Sequence, residues 1–249
     1  MPDLWERRLR RAEELARLWP HAAEILRLFR AVTAFQAEIA GEPPGLDAAV
    51  ARIPRLLDVF ERHGPADLAA LARGAREQSP EEWMRVLKLV FAAREHGNAF
   101  EALCLRCLVQ PWCATDLAGM KEGVALDDPG LCPFCAGRPA VGILRDDREA
   151  EALRRTLSCW RCAREWEFPR VLCPACKEER PERLPRLTAE EIPWIRVEAC
   201  DSCGKYLKTV DLSKEPAAEP VADELASTPL DLLARERGYG KIAPNLAGL

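Results

Sequence analysis

The sequence has no long hydrophobic run. No stretch of about 18 apolar residues occurs, so no membrane span is predicted. It also has no apolar signal-peptide core: Met1 to Arg11 is densely charged, which predicts a cytoplasmic chain. Charge of neither sign is concentrated. The 36 Lys plus Arg stand against 40 Asp plus Glu, a formal net charge of -4, with no basic arm and no acidic tail. Such a balance gives no global attraction for nucleic acid. Thiolates around metal ions would make it more negative. Histidine is scarce, with three in the chain. His63 and His96 each precede a glycine where a helix is predicted to end, a place that suits histidine because of the helix dipole. His21 follows Pro20 at a helix start. None is spaced to join a metal site. No nucleophile–base pair, glycine-rich phosphate loop or carboxylate pair can be picked out, so no intrinsic turnover is predicted.

Cysteine is what the chain has in quantity. Eight of its 11 cysteines form four Cys-x-x-Cys pairs: Cys132/Cys135, Cys159/Cys162, Cys173/Cys176 and Cys200/Cys203. The last two pairs repeat the first two at an offset of 41 residues, and 23 residues separate the pairs within each half. A Cys-x-x-Cys turn brings two sulfurs within reach of one ion, and two such turns supply the tetrahedral set that zinc or a single iron wants. The repeat predicts two self-contained sites: Cys132, Cys135, Cys159 and Cys162, then Cys173, Cys176, Cys200 and Cys203. Crossed pairing of Cys132/Cys135 with Cys173/Cys176 is the competing arrangement. Disulfides fit poorly with an odd cysteine count and no secretory signal. A redox dithiol explains one pair, not four in register. Pro133 and Pro174 stiffen their turns. Gly137 and Gly204, just past theirs, are expected to supply positive φ. Four protein thiolates close the coordination sphere, so zinc there is structural, whereas iron could carry one electron.

From Met1 to about Asp127 the chain reads as helical. Leu4, Trp5, Leu9, Ala12, Leu15 and Trp19 recur at helical spacing, and Pro20 breaks the helix. Ile25, Phe29, Val32, Phe35 and Ile39 mark a second helix, stopped at Gly41 before a Gly/Pro loop that ends at Gly45. Leu46 to Arg62 is helical, with Pro54 expected to divide it. Pro65 to Glu77 follows. Ser79, Pro80 and Glu82 form a helix start with a capping box, leading to Trp83, Val86, Leu87, Val90 and Phe91 and an end at Gly97. A last helix is expected from Ala99 to Gln110, stopped by Pro111. The stripes read as a bundle core. Cys104 and Cys107 share a face of that last helix and read as small apolar residues. A third metal site or a dithiol is the competing reading, and neither they nor Cys113 is assigned a role. Beyond Leu131 the pattern turns to β-like runs at 140–144, 155–158, 165–172 and 194–198. Residues 212–220 read as a linker. Ala222, Leu225, Leu232 and Leu233 form the stripe of a tail helix, kinked by Pro229 and ended by Gly238, that docks on the body.

The chain resembles the FdhE family, the formate dehydrogenase accessory proteins. The likeness is carried by Cys132-Pro133-Phe134-Cys135 followed by Pro139, and by Leu157-Ser158-Cys159-Trp160-Arg161-Cys162 leading to Trp166 and Arg170. Cys200-Asp201-Ser202-Cys203-Gly204-Lys205-Tyr206-Leu207-Lys208 carries it further. So do Ala222-Asp223-Glu224-Leu225-Ala226, Leu230-Asp231 and Glu236-Arg237-Gly238-Tyr239. The resemblance implies an α+β multidomain fold: a helical bundle (1–127), two tandem rubredoxin-like or zinc-ribbon metal modules (128–168 and 169–212), and a linker with a docking tail (213–249). It implies a cytoplasmic, non-enzymatic maturation factor that contacts the catalytic subunit of formate dehydrogenase in a chaperone-like role, with zinc or iron in each four-cysteine site. All eight family cysteines carry over. Gly is absent directly after Cys135, Cys162 and Cys176, where rubredoxin-type turns often have it.

Asp201, Tyr206 and Lys208 flank the last metal turn and could recognise the partner chain. The competing reading packs Tyr206 on the module and leaves the charges solvated. A homodimer is compatible with either. Three other functions stay open: rubredoxin-like electron transfer through iron, a nucleic-acid-binding ribbon using Arg161, Arg164, Arg170 and Lys205, and thiol oxidoreduction at Cys104/Cys107. The first would show a reversible visible absorption, the second binding at low salt, and the third loss of function in Cys104→Ala. The same arginines and lysine also suit a plainer task, offsetting thiolate charge.

Overall fold

The computed structural model describes residues 4–42, 45–92, 99–115, 127–147 and 152–248. The helix end expected at Gly97, His96, the side chains of Val90 and Phe91, and Pro43 and Pro44 of the predicted loop lie outside the described residues. Among the described residues six helices precede Cys132: α1 (Leu4–Leu18), α2 (Ala23–Ile39), α3 (Leu46–His63), α4 (Ala66–Ala75), α5 (Pro80–Ala92) and α6 (Ala99–Thr115). A single 3-10 turn, Pro20–Ala22, divides α1 from α2. The apolar stripes of α2, α3, α5 and α6 meet in one core, where Leu28, Val32 and Phe35 of α2 pack with Leu56 and Phe60 of α3, Leu87 of α5 and Leu105 of α6. The capping box forms as read. Glu82 N–H donates to Ser79 Oγ at 3.2 Å, and Ser79 N–H donates to Glu82 Oε2 at 2.7 Å.

Two prolines behave differently from expectation. Pro54 does not divide α3. It lies on the exposed side, where water can satisfy the carbonyl it releases. Pro111 does not stop α6, which continues to Thr115. Pro111 has no N–H for the carbonyl four residues back. That carbonyl belongs to Cys107, and it accepts a hydrogen bond from Gln36 Nε2 at 3.1 Å. A side chain on α2 thus replaces the missing helical donor.

The cysteine region forms one sheet. Its strands are β1 (Pro139–Asp147), β2 (Ala152–Cys159), β3 (Glu165–Glu167), β4 (Arg186–Thr188), β5 (Ile195–Cys200), β6 (Lys205–Asp211) and β7 (Gly240–Lys241). The order is β3-β2-β1-β6-β5-β4, with β7 also on β6. Each half of the repeat supplies an antiparallel trio. The trios join through parallel β1 and β6, with Gly142 opposite Thr209 and Leu144 opposite Asp211. Of the run expected at 165–172, residues 165–167 form a strand.

The tail is two helices, not one kinked helix: α7 (Pro220–Ala226) and α8 (Thr228–Glu236). Pro229 falls in the first turn of α8, where its fixed φ suits a helix start. Leu232 is exposed, and the buried face of α8 is Leu230, Asp231 and Ala234. Gly238 follows with φ +85°. Ala222, Leu225 and Ala226 of α7 pack with Ala12, Leu15, Leu26 and Phe29 of α1 and α2. Leu230 and Ala234 pack on Ile195, Val197 and Tyr206 of the sheet. The docking is also ionic. Arg11 makes a fork to Asp223 at 2.9 and 2.8 Å, and Arg8 reaches Gln110 at 3.1 Å and Glu219 at 3.4 Å, all buried.

Candidate metal centres

Four turns of one design present the eight thiols. In each, the residue after the second cysteine donates its N–H to the carbonyl of the first: Ala136 to Cys132 at 2.8 Å, Ala163 to Cys159 at 3.1 Å, Lys177 to Cys173 at 2.9 Å and Gly204 to Cys200 at 2.9 Å. Each of these residues is left-handed, with φ of 57°, 59°, 65° and 64° in the same order. Gly204 supplies positive φ as expected. Gly137 does not, because Ala136 takes that conformation. The absence of glycine after Cys135, Cys162 and Cys176 therefore leaves the turn intact, at the strain of three left-handed L-residues. Gly137 has another use. A Cβ there would lie 2.7 Å from Cys159 Sγ and 3.2 Å from Cys135 Sγ. Only a residue without a side chain lets the chain pass so close to the sulfurs.

The thiols gather as the repeat predicts, into two self-contained sets whose sulfurs all lie within 4.8 Å of one another. Cys132 and Cys162 are 3.6 Å apart, Cys135 and Cys159 3.5 Å, Cys173 and Cys203 3.8 Å, and Cys176 and Cys200 3.6 Å. An ion about 2.3 Å from each of four tetrahedral sulfurs sets them roughly 3.8 Å apart. The donor sets thus fit an ion such as zinc, which would close each site and staple its turns. Every cysteine is a free thiol, so no disulfide competes. In the first set, hydrogen bonds with Cys132, Cys159 and Cys162 hold the Cys135 thiol well below its ordinary value, while those with Cys132 and Cys135 push Cys162 up. Four thiols in contact share protons unequally, and a cation would displace them. The two sets differ in exposure. Cys132, Cys159 and Cys162 are buried, whereas Cys176 of the second set is exposed.

Cys104 and Cys107 are buried in the bundle core and join neither set. Burial pushes the Cys107 thiol up to about 12 and Cys104 higher than its ordinary value. Both are therefore protonated at neutral pH and poor nucleophiles. Cys113, at the end of α6, packs against Cys132, Cys159 and Cys162, and its carbonyl accepts from Arg164 Nε at 3.4 Å. Arg161 and Arg164 are buried and stack on Trp160 and Phe134, so they present no face to a nucleic acid. Arg170 and Lys205 are exposed.

The expected partner contact is corrected at two of its three residues. Tyr206 and Lys208 are 1% and 0% exposed, too deep for a partner chain to touch. Both point from β6 into the tail. Tyr206 OH donates to Asp231 Oδ1 at 2.7 Å, and Lys208 Nζ donates to Asp231 Oδ2 at 2.5 Å and to Ser227 Oγ at 3.1 Å. Glu224 and Lys241 complete a buried network of two cations and two carboxylates. Asp201 alone is exposed, and it accepts a hydrogen bond from Tyr239 OH at 2.5 Å. Sequence reasoning did not assign Glu224, Asp231 or Lys241 a task.

The fold and its donor sets define a protein with two four-cysteine centres: a helical bundle clasped by its own C-terminal tail to a doubled metal-knuckle sheet. Residues 171–247 match the family model described as FdhE, C-terminal domain. The Protein FdhE homolog of Pseudomonas putida is 30% identical over 284 residues, covering 98% of this chain and 87% of its own length. That of Aquifex aeolicus is 27% identical over 195 residues, covering 78% of this chain and 68% of its own. That of Stutzerimonas stutzeri is 37% identical over 132 residues, a match that covers 53% of this chain and 41% of the relative. The crystal structure of the FdhE protein from Pseudomonas aeruginosa superposes with a TM-score of 0.72 at 27% identity, covering 98% of this chain and 95% of that one. The chain belongs to the FdhE family.

Proposed function

We propose that this protein is a non-enzymatic accessory factor for formate dehydrogenase, binding the catalytic subunit while it is assembled or activated. Family membership supplies the client. The observation that carries the binding role is the closure of both donor sets. Four protein thiolates in each leave no coordination position for substrate or water, so the ions would hold a surface in shape and not turn over. The second module supports that surface best, because Cys176 is exposed and exposed Asp201 lies beside Cys200. Among the described residues no helix is long and apolar enough to cross a membrane.

The test is capture of the tagged chain from cells making formate dehydrogenase, handled without air. The catalytic subunit is expected to co-purify, and Asp201→Ala to weaken capture with the fold intact. Absence of the subunit when it is abundant would refute the reading. A second reading, electron transfer by iron, rests on the exposure of Cys176, which brings the second site to the surface. It predicts a reversible visible absorption in protein purified without air.

A further inference from the structure

A cavity of about 280 Å³ opens beside the second donor set, between the two modules. Arg155 of β2, Arg170, Arg186 of β4 and Lys205 of β6 line it, together with one carboxylate, Glu198. Glu198 is already engaged by Arg155 at 2.5 Å and by Arg196 at 2.7 Å. The side chains of Arg170, Arg186 and Lys205 have no hydrogen-bond or ion-pair partner among the described residues. Arg155 is 3% exposed, and its Nε is buried without a partner although its other nitrogens are used. Glu198 offsets only part of this positive charge. The thiolates of Cys173 and Cys200 are near, but a divalent ion leaves a four-thiolate site with a charge of about -2. Setting all of that against the four cations and Glu198 still leaves positive charge over. The first module is built differently, with Arg161 and Arg164 buried and stacked on aromatic rings.

We propose that this cavity is a binding site for the phosphate group of a small phosphorylated molecule. Phosphate, with about two negative charges and several oxygens, can engage guanidinium and ammonium groups together. A single carboxylate offers two oxygens and one charge. Leu172 and Leu184 give the cavity an apolar side for the organic part of the ligand. The inference is independent of the formate dehydrogenase reading, because it concerns the isolated chain.

The test is calorimetric titration of the zinc-loaded full chain with inorganic phosphate, ADP and succinate at low salt. Saturable binding of phosphate and ADP is expected, with succinate weaker. Arg170→Gln combined with Arg186→Gln should weaken ADP at least about tenfold, the loss of one or more charged hydrogen bonds. Both side chains are exposed, so the fold should survive, and retained zinc would verify it. Arg73→Gln, on an exposed face of α4, should change nothing. The proposal fails if ADP shows no saturable binding up to about 1 mM, a free energy of only about 4 kcal/mol. It also fails if succinate binds as tightly as phosphate, or if Arg73→Gln weakens ADP as much as the paired change does.

Discussion

Ala136, Ala163 and Lys177 occupy left-handed backbone at the close of a Cys-x-x-Cys turn. Left-handed geometry costs an L-residue about 1–2 kcal/mol, and glycine escapes that but loses roughly 0.5–1 kcal/mol of chain entropy on folding. Ala163→Gly should therefore stabilise the zinc-loaded protein by about 0.5–1 kcal/mol, read as a higher denaturant midpoint at unchanged slope. An unchanged or lower midpoint would mean that the turn is not strained. Gly137 obeys the opposite logic. It needs no special φ, but a methyl group there would crowd two sulfurs. Gly137→Ala should lower bound zinc from two ions per chain to one, measured by atomic emission. Retention of both would show that the knuckle can yield. The two glycines looked alike in sequence because each follows a Cys-x-x-Cys pair. The one-residue difference in their spacing separates a conformational need from a steric one, and only coordinates show it.

Helices and turns were legible where a local rule decided them, as at Ser79 and Glu82 or in the apolar stripes of α2 and α3. They were not legible where a distant residue supplied what the local sequence lacked. Pro111 reads as a stop, and the Gln36 amide that lets α6 continue stands 71 positions from the carbonyl it serves. Gln36→Ala should cost about 1–3 kcal/mol, the penalty of a buried unsatisfied carbonyl. Pro111→Ala in that background should restore part of it by returning the helical donor. If Gln36→Ala is neutral, the carbonyl has another partner. The tail gives an acid-sensitive case. Burial alone would raise the Glu224 carboxyl, but Lys208 and Lys241 outweigh it and hold it down to about 2. The unfolded value is the ordinary 4.5. A depressed carboxylate stabilises fully above the unfolded value, and that stabilisation fades as pH falls towards the folded one. Glu224→Gln should thus lower stability by about 3 kcal/mol at pH 7, with the deficit shrinking between pH 4.5 and 2. Comparing the two proteins at each pH removes the effect of thiol protonation, which they share. A deficit that stayed constant with pH would deny Glu224 its ionic role.

At the scale of the molecule, the repeat announced two metal units but not their fusion. The offset of 41 residues describes each unit alone. Nothing in it says that β1 will pair with β6, because edge-to-edge pairing depends on how the two trios are set against each other. The join is broad. It has the parallel register of β1 and β6, the Arg155–Glu198 ion pair from one trio to the other, and an ion pair of Lys177 with Asp128. Gly130 also fits so closely on Pro174 that a Cβ would lie 1.9 Å from its carbonyl oxygen. Rigid elements with shared neighbours transmit loss of one site to the other, and coupling between sites in proteins commonly amounts to about 5–150-fold in affinity. Cys176→Ser tests this well, since Cys176 is the exposed thiol of the second set and its loss leaves the bundle core untouched. The variant should lose the second ion and give up the first to a chelator at about tenfold lower concentration than the natural chain does. Two independent modules would leave the first site unchanged, and that result would make the continuous sheet a matter of contact without energetic coupling.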